Sequence, residues 1–93
     1  MVVGVARWEL FLAGSQSLKD KRRVVKSLKD RLQARYGVSA AEVDHQDLWQ
    51  RASLAAAVVS GEPSHVEQVL AACDRLVQSE AGATVVAVER RLI

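Results

Sequence analysis

Apolar residues alternate with others along the first eleven positions of the chain. Val2, Ala6, Trp8, Leu10 and Leu12 fall on one side together with Gly4, and Val3, Val5, Arg7, Glu9 and Phe11 fall on the other. Period-two alternation rich in β-branched and aromatic residues predicts a half-buried strand over Val2–Leu12, with some apolar content on its second face. The period then changes. After the short loop Ala13–Ser17, residues Leu18, Val25, Leu28, Leu32 and Tyr36 recur at helical spacing, with Val24 beside them. Ser17 is a good N-cap, Asp20 places a carboxylate in the first turn, and Gly37 is the expected left-handed stop. Residues 18–36 therefore read as a helix of about five turns.

Val38–Asp44 reads as a second strand, weakened by alanines, and Ala52–Ser60 as a third. Between them DHQDLWQR forms a longish connection without glycine. Gly61–Pro63 predicts a turn. The next helix begins either at Ser64, with Glu67 closing a capping box, or at Pro63 as first helical residue. Val66, Val69, Leu70, Cys73, Leu76 and Val77 give it a narrow apolar stripe. It ends within Ser79–Gly82. Ala83–Ile93 is a last strand, with Val86 and Val88 alternating against Val85 and Ala87.

The order βαββαβ, with right-handed crossovers, predicts an α+β ferredoxin-like domain spanning residues 1–93. Its four-stranded antiparallel sheet takes the order 4-1-3-2, and both helices lie on one face. The other face stays uncovered and carries Val3, Val5 and Phe11 or their alternates. A bare apolar sheet face suggests a partner, most simply a second copy, so a homodimer is expected.

Composition adds limits. Ninety-three residues suffice for one domain and not two. A lone cysteine, Cys73, permits no internal disulfide and fits a reducing cytoplasm; its place on the second helix's apolar stripe predicts a small buried hydrophobe. No stretch approaches the ~20 apolar residues of a membrane span. The opening MVVGVARWELFL has no basic leader and no small-residue cleavage site, so it reads as a strand and not a signal peptide.

Charge changes the picture more. The net charge of +2 hides a strong polarity: residues 18–36 hold eight of the thirteen Lys and Arg against two Asp, a local +6, and the remainder carries −4. On a helical wheel started at Leu18, Val25, Leu28, Leu32 and Tyr36 fall between about 280° and 360°. Lys19, Arg22, Arg23, Lys26 and Lys29 fall between about 20° and 140°, as one stripe on the side away from the core. Cations three and four apart repel unless a polyanion or counterions neutralise them. Two readings stay open: a merely solvated face, and a phosphate-binding surface for nucleic acid driven by counterion release.

Three segments carry a family resemblance: SQSLKDKRRVVKSLKDRL (15–32), VSAAEVDHQDLWQRA (38–52) and AVVS with the following HVEQVL (57–70). Together they resemble the YlxP-like proteins, a family of small bacterial proteins of unknown function, over nearly the whole chain. The resemblance implies a ferredoxin-like fold, a cytoplasmic location, and genes near those of translation factors and ribosome-binding factor A. The family has no established catalytic residues to carry over.

The remaining motifs weigh against chemistry. An RNA reader of the sheet-surface kind stacks bases on aromatics of its central strands, and the third strand SLAAAVVS has none. Asp44, His45 and Asp47 resemble a metal or acid–base cluster, but in an extended strand His45 points away from Asp44 and no cysteine is near. Trp49 is expected to fold back over the sheet end, its indole N–H finding a local acceptor. His65 is expected to be exposed. No nucleotide loop and no nucleophile–base pair appears. No catalytic residue, metal site, cofactor or small-molecule substrate is therefore expected. The sequence points to a non-enzymatic module binding structured RNA or a ribosomal particle through its basic helix. The rival is a protein-interaction or assembly module that uses the uncovered sheet, with no nucleic acid.

Overall fold

Strand β1 (Val2–Phe11) opens the computed structural model, which describes all 93 residues. Helix α1 (Leu18–Tyr36), strands β2 (Ser39–Asp44) and β3 (Arg51–Ser60), helix α2 (Pro63–Gln78) and strand β4 (Thr84–Leu92) follow. The sheet order is β2-β3-β1-β4 and every neighbouring pair is antiparallel, which is the expected 4-1-3-2 order read from the other edge.

Local chemistry explains the boundaries. Ser17 Oγ accepts the Asp20 N–H at 3.1 Å, which satisfies one orphan donor of the first turn, and Asp20 Oδ2 accepts the N–H of Gln16, the residue before the cap, at 3.0 Å. Gly37 adopts φ +64° and returns its N–H to Gln33 O at 3.1 Å. For α2 the proline alternative holds: Pro63 sits in the first turn after Glu62, which makes no side-chain cap.

The core lies between one sheet face and the two helices. Ala6, Trp8, Leu10 and Leu12 of β1, Leu28 and Leu32 of α1, and Val66, Leu70, Cys73 and Val77 of α2 are buried. Trp8 donates its indole N–H to Asp74 Oδ1 at 2.9 Å, so the largest core side chain keeps its polar atom paired. At Gly4 the α2 side chains press onto the strand: a Cβ there would collide with Val66 Cγ1.

Two β-bulges break the simple alternation. On β4, Glu9 faces Ala87 and Leu10 faces Val85, leaving Val86 as the extra residue. Val85 and Val88, opposite Leu10 and Trp8, therefore point to the same side, against the expected pairing of Val86 with Val88. Helix α1 packs over β2 and β3 and α2 over β1 and β3, with less of α2 reaching β4, and Val88 and Leu92 stay exposed on this edge strand. On β2, Glu42 faces Leu54 and Asp44 faces Ser53, leaving Val43 extra.

Candidate functional site

The α1 wheel determines what each side chain can reach. Lys19, Arg22, Arg23 and Lys26 are exposed, and Lys29 is half-buried. Lys26 pairs with Asp30 at 2.6 Å, an exposed i,i+4 contact worth little in water. Lys19, Arg22, Arg23 and Lys29 have no carboxylate within 4.0 Å. Arg31, outside the stripe, is tied to Glu80 at 2.9 Å on the α2 side. Gln33 donates to Ala40 O at 3.3 Å, so its flank of α1 leans toward β2. Arg22, Lys26 and Lys29 share that flank, within about 40° of Gln33 on the wheel.

One of the eight cations does something else. Lys21 is 0% exposed. Its ammonium pairs with Glu42 Oε2 at 2.9 Å and donates to the carbonyls of His45, Gln46 and Arg51 at 2.7, 3.1 and 3.3 Å. The exposed charge of the α1 face is therefore smaller than a count of residues suggests. The signal was available: Lys21 stands at about 300° on the wheel, inside the core arc. Glu42 follows Val38, just before β2, and Ala40 within it at alternate, inward positions. A cation and a carboxylate both pointing inward from adjacent elements mark a buried pair.

That pair organises the connection between β2 and β3. Its far end is held by Gln50, whose amide donates to Ala13 O at 3.2 Å and Ser15 O at 3.3 Å, while Leu12 N donates to Gln50 O at 2.9 Å. Leu48 N donates to His45 O at 3.0 Å and closes a turn. The expectation for Trp49 fails. Its side chain does not fold over the sheet end, its indole N–H makes no hydrogen bond, and the residue is 55% exposed. The backbone of this loop is already secured by Lys21 and Gln50, so the indole is not needed to cover it. Trp49 lines an open hollow of about 430 Å³ with Asp47, Leu48, Gln50 and Arg51.

The uncovered sheet face holds a second cluster that the sequence pattern did not reveal. Arg7 and Glu9 pair at 2.8 Å, Ser53 Oγ donates to Glu9 Oε2, and the Arg7 guanidinium lies 3.4 Å from Ser53 Oγ. Asp44 Oδ2 is 3.7 Å from Arg7, and His45 Nε2 is 3.7 Å from Glu9 Oε2. Asp44 and His45 thus converge on one network, against the expectation that they point apart. The bulge at Val43 turns Asp44 to this face, and His45 has left the strand at φ +64°. The Ser53 hydroxyl first, then Arg7, holds the Glu9 carboxyl below its ordinary value of 4.5. Every charge here is compensated by a neighbour, and no group of three His, Cys, Asp or Glu has the geometry of a metal site. Around the cluster Val3, Val5, Ala55, Ala57 and Val59 make a shallow apolar surface, so the bare face is apolar in part only.

The remaining single residues are as expected. Cys73 is buried and its thiol is pushed up to about 11 by desolvation, which makes it a poor nucleophile. His65 is exposed. No helix is long and apolar enough to cross a membrane.

A family described as "Protein of unknown function (DUF503)" matches residues 3–90. The chain belongs to this family. An uncharacterized protein of Bacillus subtilis (strain 168), YlxP, is 38% identical over 69 residues, covering 74% of this chain and 75% of the relative. The YlxP-like resemblance of the three segments is thereby borne out. Among solved structures, the de novo designed protein Foldit4 superimposes with a TM-score of 0.57 at 13% identity, covering all of this chain and 97% of its own. SnoaB, a cofactor-independent oxygenase from Streptomyces nogalater, gives 0.54 at 13% identity, over 99% of this chain and 90% of its own. A designed protein with a ferredoxin fold gives 0.52 at 12% identity, over 99% and 84%. At such identities these three speak to the DUF503 chain's fold alone.

Proposed function

We propose that this protein is a non-enzymatic module that binds structured RNA, free or within a ribosomal particle, through the exposed stripe Lys19, Arg22, Arg23, Lys26 and Lys29. One observation carries the reading: four of these five cations have no carboxylate in reach, on a helix face that the core does not use. Unneutralised cations on adjacent turns repel one another, and phosphates relieve that repulsion while releasing counterions. The contacts read shape and phosphate, not base sequence.

Binding of ribosomal RNA is measured against salt. Five phosphate contacts give a slope of log K on log salt of about −3.5 to −4.5, taking ~0.7–0.9 per contact. The triple variant Arg22→Glu, Arg23→Glu, Lys26→Glu keeps its fold and loses binding. A triple variant that binds as before, or a native protein that binds nothing at low salt, refutes the proposal.

A second reading rests on the uncovered sheet, where Val59 is 64% exposed beside Val3. Here the face joins two copies of the chain. Light scattering of the native protein and of Val59→Arg tests it: a dimer that becomes a monomer supports the reading, and a native monomer at high concentration ends it.

A further inference from the structure

We infer that Trp49 is a base-stacking platform, so that the RNA taken by the basic stripe presents an unpaired nucleotide at this loop. The inference rests on the phosphate-binding reading of α1 and adds to it the chemistry of the second contact.

Two independent sets of contacts tie the loop that carries Trp49 to α1. Gln50, next to Trp49, is bound to the carbonyls of Ala13 and Ser15, which lead into the first turn of α1 and Lys19. Lys21 holds the carbonyls of His45, Gln46 and Arg51 from within α1, and its helix neighbour Arg22 stands on the flank that leans toward β2. The loop is therefore anchored to the N-terminal half of the cationic helix. A large aromatic that is exposed on an anchored loop carries little ordering cost when it binds. It lines an open hollow of about 430 Å³ together with Asp47, Leu48, Gln50 and Arg51, so an apolar side chain and both signs of charge stand around it. Stacking planes flanked by cations are how proteins hold unpaired bases next to the phosphates they bind. A protein partner would meet the same indole, but Lys19 and Arg22, in the part of α1 to which the loop is tied, have no carboxylate within reach, which favours a phosphate-bearing ligand. The sheet aromatics do not compete for this role, because Trp8 is buried and Phe11 has no aromatic beside it on β3.

The experiment compares two polyanions, a single-stranded oligouridylate and inorganic polyphosphate, which has charges and no bases. Trp49→Ala should weaken oligouridylate binding about tenfold and leave polyphosphate unchanged. Trp49→Phe keeps a π-face and should stay within about threefold of native on both. Oligouridylate should also quench indole emission in the native protein but not in Trp49→Phe, since Trp8 is buried. Circular dichroism confirms the fold of each variant. If Trp49→Ala binds oligouridylate as the native protein does, or loses both ligands equally, stacking is overturned. Emission that oligouridylate leaves unchanged, but that self-association or a protein partner shields from acrylamide, overturns it too and assigns the indole to a protein contact. The charge-reversed α1 variant separates the two proposals. Loss of both ligands there, with Trp49→Ala silent, leaves phosphate binding standing and removes stacking. Retention of both removes phosphate binding itself.

Discussion

Replacing Lys21 by Met removes a single ammonium and leaves its surroundings intact. Glu42 then keeps a carboxylate whose side chain is only 16% exposed, with no cation opposite, and three carbonyls lose their donor. Breaking a buried pair in this way costs about 3–5 kcal/mol. The residual access of water to Glu42 and the surface position of the loop favour the lower end, about 3 kcal/mol. A chain of this length is stable by roughly 5–14 kcal/mol, so the variant loses a fifth to more than half of it. The expected fall in Tm is roughly 12–24 °C, at about 4–8 °C per kcal/mol. Urea titration followed by circular dichroism and by emission of the buried Trp8 should show the midpoint falling by about 1.5–3 M, for m near 1–2 kcal/mol/M. The double variant Lys21→Met, Glu42→Leu removes the stranded carboxylate and should recover a large part of the loss, because apolar replacement of a buried pair is often neutral. A loss below about 1 kcal/mol in the single variant, or a double variant no better than the single, contradicts a buried ion pair of this weight. The single variant should also leave Trp49 on a looser loop, read as greater acrylamide quenching with no change at Trp8.

Three further outcomes follow from other parts of the molecule. Glu9 is held below 4.5 by Ser53 and Arg7, so its contribution is complete above the ordinary carboxylate range and is lost as pH falls through the lower folded value. Glu9→Gln should flatten the acid limb of urea midpoints measured between about pH 5 and pH 3, and an unchanged limb contradicts this. Gly4→Ala drives a methyl into Val66 and should cost about 1–3 kcal/mol by thermal denaturation, whereas a surface strand glycine replaced by alanine gains stability. Cys73 should react with a thiol reagent at pH 8 no faster than the domain unfolds, since it is buried and its thiol lies at about 11; rapid native-state labelling would show an access path.

Much of the fold was legible because it depends on short-range periodicity. The alternation in β1, the three- and four-residue spacing in α1, Ser17 and Gly37 each act within a few residues, and the element order then admits few topologies. The stripe of cations was legible for the same reason, as a matter of angle on one helix. Other features arise where elements meet across space. The inward angle of Lys21 was present in the sequence, but its three carbonyl partners come from the loop after β2 and the first residue of β3, which meet α1 only in the folded chain. The bulge at Val43, which brings Asp44 toward Arg7, leaves no mark on local pattern because one extra residue flips every later side chain. Trp49 shows the same limit from the other side: an indole normally seeks burial, yet here the buried ammonium and the Gln50 amide already hold the loop, and the ring is left in solvent. Whether an aromatic residue serves core or surface depends on what else secures its backbone, and that is settled between elements, not along the chain.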